Sequence, residues 1–478
     1  MNGRNYIDGR WRESDALSPT HNPSDLDEVV GYYPNSTASD AEEAIAAARN
    51  ALPAWSRFNT QARADLLRKV GDALFARAQE IGTLLSREEG KTLPEGIGEA
   101  QRAAYVFHYY AGEVVRHPGQ WHNSLRDGHN VLVSYEPVGV VAAITPWNFP
   151  IAVPAWKVAA ALAYGNTAVL KPSEYTPGCA VLLAEILEQA GLPKGVFNLI
   201  LGDGRAVGQT LIEGADAVTF TGATPTGRRV LQMAAPSMTK VQLELGGKNP
   251  FIVLDDADLD VAVEAAAQGT WGQTGQRCTG SERIIVTSGI YDAFVERLVR
   301  AAKAFKVGHA LDAETQIGPV ANQAQFDKNL RVIAKAKADG AELAAGGSPV
   351  EARARGLYLA PTLFLNTTNA MELNREEVFG PVAGVIRVAD LDEAIAVAAD
   401  CGLALSSGIA TTSLKNAERY RRASTAGMVM INAPTAGLEY HVPFGGRAPS
   451  GYGGREQGAA SAEFFTEIKT AYINHGVI

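Results

Sequence analysis

The sequence predicts an α/β fold: two doubly wound parallel-sheet domains plus a small β element. Three observations predict it. Short apolar runs alternate with helical patterns from Val138 to Leu245, and a second alternating set runs from Pro250 to Ile431. Between the N-terminal helical region and the first set, Gln120 to Pro137 reads as a strand pair, with Arg126-Asp127-Gly128 as its turn signal.

Residues up to about Tyr33 read as short strands and loops. Ser39-Asp40 offers an N-cap to an Ala-rich helix, Ala41 to Leu52. Helical patterns over Thr60 to Gly90 and Pro94 to Arg116 follow, the second aromatic on one side (Tyr105, Phe107, His108, Tyr109, Tyr110), which reads as a packed face. The first alternating set has strands at Val138–Ile144, Thr167–Lys171, Val196–Leu201, Ala217–Thr221 and Val241–Leu245. Its helices are Pro154–Ala163, Pro177–Gly191, Arg205–Glu213 and Thr226–Ala235. In such a sheet, ligands bind at the carboxyl ends of the strands. The second set has strands at Phe251–Leu254, Arg283–Thr287, Val382–Arg387, Ser407–Thr411 and Val429–Ile431, and a final strand-like segment spans Phe464 to Tyr472.

A chain of 478 residues suits two or three domains, at ~100–200 residues each. A net charge of -9 without a Lys/Arg cluster disfavours a nucleic-acid partner. Three widely spaced cysteines argue against a disulfide framework and for a reducing, cytoplasmic setting. The N-terminus lacks a signal-peptide core. The most apolar region, Val138 to Gly165, is broken by Pro146, Asn148, Pro150, Pro154 and Lys157, short of the ~20 apolar residues a membrane span needs. Asp255 to Asp260 lacks the spacing of a calcium loop and reads as an acidic helix start, so no metal site is expected.

Five stretches carry candidate chemistry. Gly275-Gln276-Arg277-Cys278-Thr279 sets a cysteine in a loop beside an arginine; a thiol of pKa ~8.5 becomes nucleophilic when cations or backbone N–H groups lower that value. The alternative is a small packed residue. Glu244-Leu245-Gly246-Gly247-Lys248 puts a carboxylate at a strand end, a general base toward water or a surface ion pair with Lys248. Thr145-Pro146-Trp147-Asn148-Phe149-Pro150 supplies an amide donor suited to an oxyanion, or a capped turn. Lys171-Pro172-Ser173-Glu174 reads as ribose ligands or an exposed turn. Gly202-Asp203-Gly204-Arg205-Ala206-Val207-Gly208 has one residue too many for the G-x-G-x-x-G fingerprint and only permits dinucleotide binding.

Pro146-Trp147-Asn148-Phe149-Pro150, Lys171-Pro172-Ser173-Glu174, Phe220-Thr221-Gly222, Glu244-Leu245-Gly246-Gly247-Lys248, Gly275-Gln276-Arg277-Cys278 and Glu377-Val378-Phe379-Gly380-Pro381 together resemble the aldehyde dehydrogenase superfamily, in its order and spacing across essentially the whole chain. The resemblance implies an NAD(P)-binding domain at 1–119 and 138–245, a catalytic domain at 246–445 and an oligomerisation element at 120–137 and 446–478. It gives catalytic roles to Cys278, Glu244, Asn148, Lys171 and Glu456: Cys278 attacks an aldehyde, Asn148 and the Cys278 N–H hold the oxyanion, Glu244 activates water and Glu456 relays a proton.

Cofactor contacts fall by the same resemblance on Ile144, Thr145, Pro146, Trp147, Lys171, Ser173, Glu174, Gly204, Phe220, Thr221, Gly222, Leu245, Glu377 and Phe379. Glu174 would repel a 2′-phosphate, so NAD is the expected cofactor and NADP the alternative. Substrate contacts fall on Phe149, Trp156, Arg277, Thr279, Arg102, His108 and Phe444. The run Pro434 to Gly446, with Pro154-Ala155-Trp156-Lys157 and Arg277, looks like the α-ketoglutaric semialdehyde (2,5-dioxopentanoate) dehydrogenase branch. That implies an aldehyde bearing a carboxylate and a cation to meet it: Arg277, Arg102 or His108. Succinate semialdehyde or a general aliphatic or aromatic aldehyde is the alternative substrate, and a non-catalytic binding protein the alternative of another class. A homodimer or homotetramer is expected, with Phe464, Ile468 and Tyr472 on a strand that another subunit covers.

Overall fold

The computed structural model describes residues 3–116, 119–437, 439–447 and 449–476. Two large sheets carry the fold. The first has five parallel strands in the spatial order Lys240–Glu244, Ala217–Thr221, Val140–Ile144, Thr167–Lys171 and Phe197–Leu199. Antiparallel strands finish its edges, Gly451–Tyr452 on one side and Asn5–Ile7 with Arg10–Arg12 on the other. Chain order reverses between Val140–Ile144 and Ala217–Thr221, the crevice where such sheets bind ligands.

Residue alternation makes this sheet doubly wound. Val141 and Ala143 join the core under the helices Thr60–Ala76, Leu93–Glu113, Ala152–Ala163 and Gly178–Gln189, whereas Val140 and Ala142 pack with Ala38–Trp55 and Gly204–Gly214. Every residue of Ala152–Ala163 is buried, so this helix runs through the core rather than over it.

The second sheet runs Glu342–Ala345, Thr362–Leu365, Val382–Val388, Ser281–Thr287, Asn249–Val253, Ser406–Ala410 and Met428–Ile431; only the first pair is antiparallel. A third sheet joins Thr466–Asn474 to His129–Pro137 and Gln120–Asn123.

Two expectations are corrected. The pattern over Thr60 to Gly90 is two helices, Thr60–Ala76 and Ala78–Glu89. Arg77 breaks them with φ -100 and ψ 12, and its guanidinium bonds Glu80 and Glu185, which turns the second helix onto Gly178–Gln189. The start of the last strand is a helical turn, Ala462–Phe465, because Phe464 and Phe465 are both drawn into the first core. The acidic run after Leu254 is a helix start in fact: Asp258 caps Leu259–Trp271, while Asp255 and Asp256 accept from Thr287 and Thr411.

Candidate active site

A cavity of about 310 Å³ lies between the sheets. The first sheet contributes the carboxyl ends of its strands: Pro146 to Phe149, Thr221 to Ala223 and Glu244 to Gly246. The second contributes segments before the amino ends of its strands, Arg277 to Thr279 ahead of Ser281–Thr287, and Glu377 and Phe379 ahead of Val382–Val388. The first sheet thus offers the carboxyl ends of its strands to the cavity, and the cysteine enters from the opposite polarity.

The loop bearing Cys278 is held by other elements. After the helix Leu259–Trp271 the chain passes through Gln273 and Thr274 at φ 53 and 57. Left-handed backbone costs a non-glycine residue of order 1–3 kcal/mol and persists only where neighbours impose it. Here the Gln273 N–H donates to Glu95 (3.0 Å) and the Thr274 hydroxyl to the Gly318 carbonyl (3.1 Å). Gly275 follows at φ 66, and a Cβ there would meet the Gly380 carbonyl at 2.2 Å, so only glycine fits. Asn249 donates to the carbonyls of Cys278 and Gly280, both at 2.8 Å.

Burial pushes the Cys278 thiol up to about 12, reinforced by Glu377 and Glu244, while the N–H groups of Cys278 and Thr279 act against it. The resting group is therefore a thiol. The expected activating cation is turned elsewhere: Arg277 donates to the carbonyls of Gln268 and Gly269 at the end of Leu259–Trp271. Burial lowers the Arg277 pKa to about 10.

Burial, then the Glu456 carboxylate, drives Glu244 well above the usual carboxylate range, with Lys157 opposing. Glu244 accepts from the Gly446 N–H at 3.3 Å, and a Cβ on Gly445 would stand 2.4 Å from its oxygen. Glu456 does not line the cavity. It pairs with Lys157 and accepts from Thr219 at 3.1 Å, behind Glu244. Asn148 donates one N–H to the Gln276 carbonyl at 3.0 Å; the amide carries a second.

The other sequence-derived residues divide. Arg102, Phe149, Trp156, Arg277, Thr279 and Phe444 line the cavity, the Trp156 and Phe444 rings 5.4 Å apart. His108 does not: its ring meets Asp72 at 2.9 Å and stacks on Phe75, which takes it out of the candidate substrate set. Lys171 is buried outside the lining of the cavity, its ammonium 3.5 Å from a Glu174 carboxylate that is 47% exposed. A Cβ on Gly204 would sit 3.4 Å from that ammonium. Ser173 accepts from the Tyr175 N–H, and Ile144, Thr145 and Phe220 support the edge from behind the lining. Leu438 lies outside the described residues.

Sequence reading passed over Asn249, Gln325 and Lys328, although Asn249 directly follows the Glu244–Lys248 motif. Lys91 was missed too. It pairs with Glu99 and donates to the Asn148 carbonyl at 2.9 Å; the Glu89-Gly90-Lys91 turn was its only signal.

The first sheet's edge fits a dinucleotide. The helix Thr224–Ala234 has no side-chain cap and no acidic residue in its first turn, and Ala223 at its N-cap lines the cavity. Its free N–H groups suit a pyrophosphate. Beside it, the buried Thr221 hydroxyl has no partner among the described residues.

An enclosed cysteine with a carboxylate and an amide donor, on a doubly wound nucleotide sheet, defines a class, and the chain belongs to the aldehyde dehydrogenase family, whose model matches residues 11–471. Among curated relatives it is 42% identical to an alpha-ketoglutaric semialdehyde dehydrogenase of Bacillus subtilis, over 98% of this chain and 97% of that one. Among solved structures, an NAD-dependent aldehyde dehydrogenase from Sinorhizobium meliloti superposes with a TM-score of 0.97 at 37% identity, covering 100% of this chain and 95% of that one. A betaine aldehyde dehydrogenase from Staphylococcus aureus in complex with NAD+ gives 0.96 at 36%, covering 99% and 95%.

Proposed function

We propose that this protein oxidises α-ketoglutaric semialdehyde to 2-oxoglutarate with NAD. One observation carries the choice of substrate: the cavity beside Cys278 is lined by two arginines, Arg102 and Arg277. One Nη of Arg277 is spent on the backbone carbonyls of Gln268 and Gly269, whereas Arg102 makes no hydrogen bond among the described residues; the buried Nε of each has no partner there. Arg102 is therefore the anchor for the distal carboxylate. A trimethylammonium substrate, as a betaine aldehyde would present, meets like charge there.

Cys278 Sγ adds to the aldehyde carbon, its proton leaving to solvent, and forms a thiohemiacetal. Its oxyanion is held by the Asn148 amide and the Cys278 N–H; such donors are typically worth ~3 kcal/mol each in an enclosed site. NAD, when bound, would supply the acceptor for the hydride of the thiohemiacetal carbon. Glu244 then takes a proton from the water that attacks the resulting thioester, releasing the acid and the thiol. Lys171 and Glu377 would hold the riboses of NAD, and Phe379 its nicotinamide face. Proton return through Glu456 uses its contacts with Lys157 and Thr219.

Glu174, exposed beside Lys171, favours NAD over NADP. The third sheet exposes Trp121, Ile468 and Tyr472 at 62%, 66% and 68%, apolar area that suits a second copy of the chain. Among the described residues no helix is long and apolar enough to cross a membrane.

Steady-state rates with semialdehydes of increasing length, betaine aldehyde and both cofactors test the reading. It predicts the highest kcat/KM for the five-carbon keto acid with NAD. Arg102→Met should raise KM for that substrate by about ten- to a hundredfold, the worth of one charge-assisted pair, and leave a neutral aldehyde of equal length nearly unchanged. Equal loss for both would remove Arg102 from this role.

A further inference from the structure

The turn Glu377-Val378-Phe379 is strained and clamped. Phe379 has φ 60, left-handed for a bulky residue. Its ring meets Trp147 edge-on at 5.3 Å across the cavity. The carbonyls of Val378 and Phe379 accept from Gln325 at 2.8 and 3.0 Å. Their N–H groups converge on one carboxylate, that of Glu282, at 2.8 Å from Val378 and 2.7 Å from Phe379.

Glu282 lies four residues after Cys278, on the strand Ser281–Thr287, and is 4% exposed. Its one cationic partner among the described residues is the buried Lys248 ammonium. The neighbouring Glu377 turns toward the cavity floor and accepts from the Gly247 N–H at 3.0 Å. A buried carboxylate carries a desolvation cost that its donors must offset. Here the donors are one lysine and the two amides of the strained turn. An apolar side chain at this position would leave those amides without acceptors.

We infer that Glu282 is a positioning residue for the cofactor: paired with Lys248, it holds the Val378 and Phe379 amides so that the Phe379 ring and the Glu377 carboxylate meet the nicotinamide riboside. The inference rests on the reading of Glu377 and Phe379 as nucleotide contacts. It also places one element of the nucleotide site under control of the strand that follows the catalytic cysteine.

The test uses the full-length enzyme with Lys248→Met, which removes the ammonium that would otherwise be stranded, combined with Glu282→Ala or Glu282→Gln. Glutamine keeps an acceptor oxygen for the Phe379 N–H; alanine keeps none. NAD affinity by fluorescence titration, KM for NAD, kcat, KM for aldehyde and thermal midpoint are compared with wild type. The alanine form should bind NAD about tenfold or more weakly, with KM for aldehyde unchanged and kcat at saturating NAD affected much less. The glutamine form should recover most of that affinity. Should the alanine form not fold, Glu282→Asp alone, which keeps the charge but falls short of the amides, should show the same selective loss. Unchanged NAD affinity in the alanine or aspartate form, or a loss that glutamine does not recover, overturns the inference. Wild-type protein that fails to bind NAD contradicts instead the nucleotide reading, and the inference falls with it.

Discussion

At the scale of single residues, the site biases Cys278 and Glu244, the two groups proposed to react, toward their protonated forms. Cys278 is pushed up to about 12 by burial and by Glu377 and Glu244, and Glu244 is raised by burial and by Glu456. Both are active in their deprotonated forms, and a raised pKa moves those forms to higher pH. The rate should therefore climb with pH through neutrality, with its acid limb well above the usual carboxylate range; a kcat/KM profile from about pH 6 to 10 checks this. Substituting Glu244 separates the two half-reactions. Glu244→Gln should give a burst of reduced nucleotide near one equivalent per site, then turnover slowed by about a hundredfold or more. Slow turnover without a burst would place Glu244 before hydride transfer.

At the scale of elements, Asn148, the proposed oxyanion donor, is tied through its carbonyl to a buried ion pair distant in sequence. Lys91 follows the helix Ala78–Glu89, and Glu99 belongs to Leu93–Glu113. They pair at full burial, and Glu99 also accepts from the N–H groups of Ile151 and Ala152, the start of Ala152–Ala163. Lys91 keeps a second buried carboxylate, Glu89 at 3.9 Å, but Glu99→Ala strands the Ile151 and Ala152 N–H groups and should cost about 1–3 kcal/mol of stability, measured by denaturant unfolding. A loss below about 1 kcal/mol would mean the network is solvated. None of this was legible in the sequence, because the partners lie 8 and 57 residues apart and no local pattern links them. What was legible follows from period and punctuation: Thr167–Lys171 and Ala217–Thr221 are continuous apolar strands bounded by turns, and both were read to the residue. The break at Arg77 was not, since no glycine or proline marks it and tertiary contacts decide it. Cys278, Glu244 and Asn148 were each ambiguous as residues; the six co-linear motifs drew them together, whereas His108 was misassigned because an aromatic helix face does not say which side meets the cavity.

At the scale of the molecule, two sheets of opposite presentation meet at one cavity, and the third sheet exposes Ile468 and Tyr472 on one face and Trp121 on the other. Thr466–Asn474 pairs with His129–Pro137 along its whole length, from Thr466 with Pro137 to Asn474 with His129, which makes that sheet a rigid platform. Light scattering should give a mass of at least two chains, and Ile468→Lys with Tyr472→Glu should shift it toward one chain of 50.6 kDa. A wild-type monomer at micromolar concentration would refute the assembly.

The central claim is that one sulfur forms the covalent bond from which hydride leaves, and Cys278→Ser tests it most directly. Reduced-nucleotide formation should fall by about a thousandfold or more, while NAD titration of the same protein gives nearly the wild-type affinity. Turnover by the serine form at the wild-type rate would contradict the account.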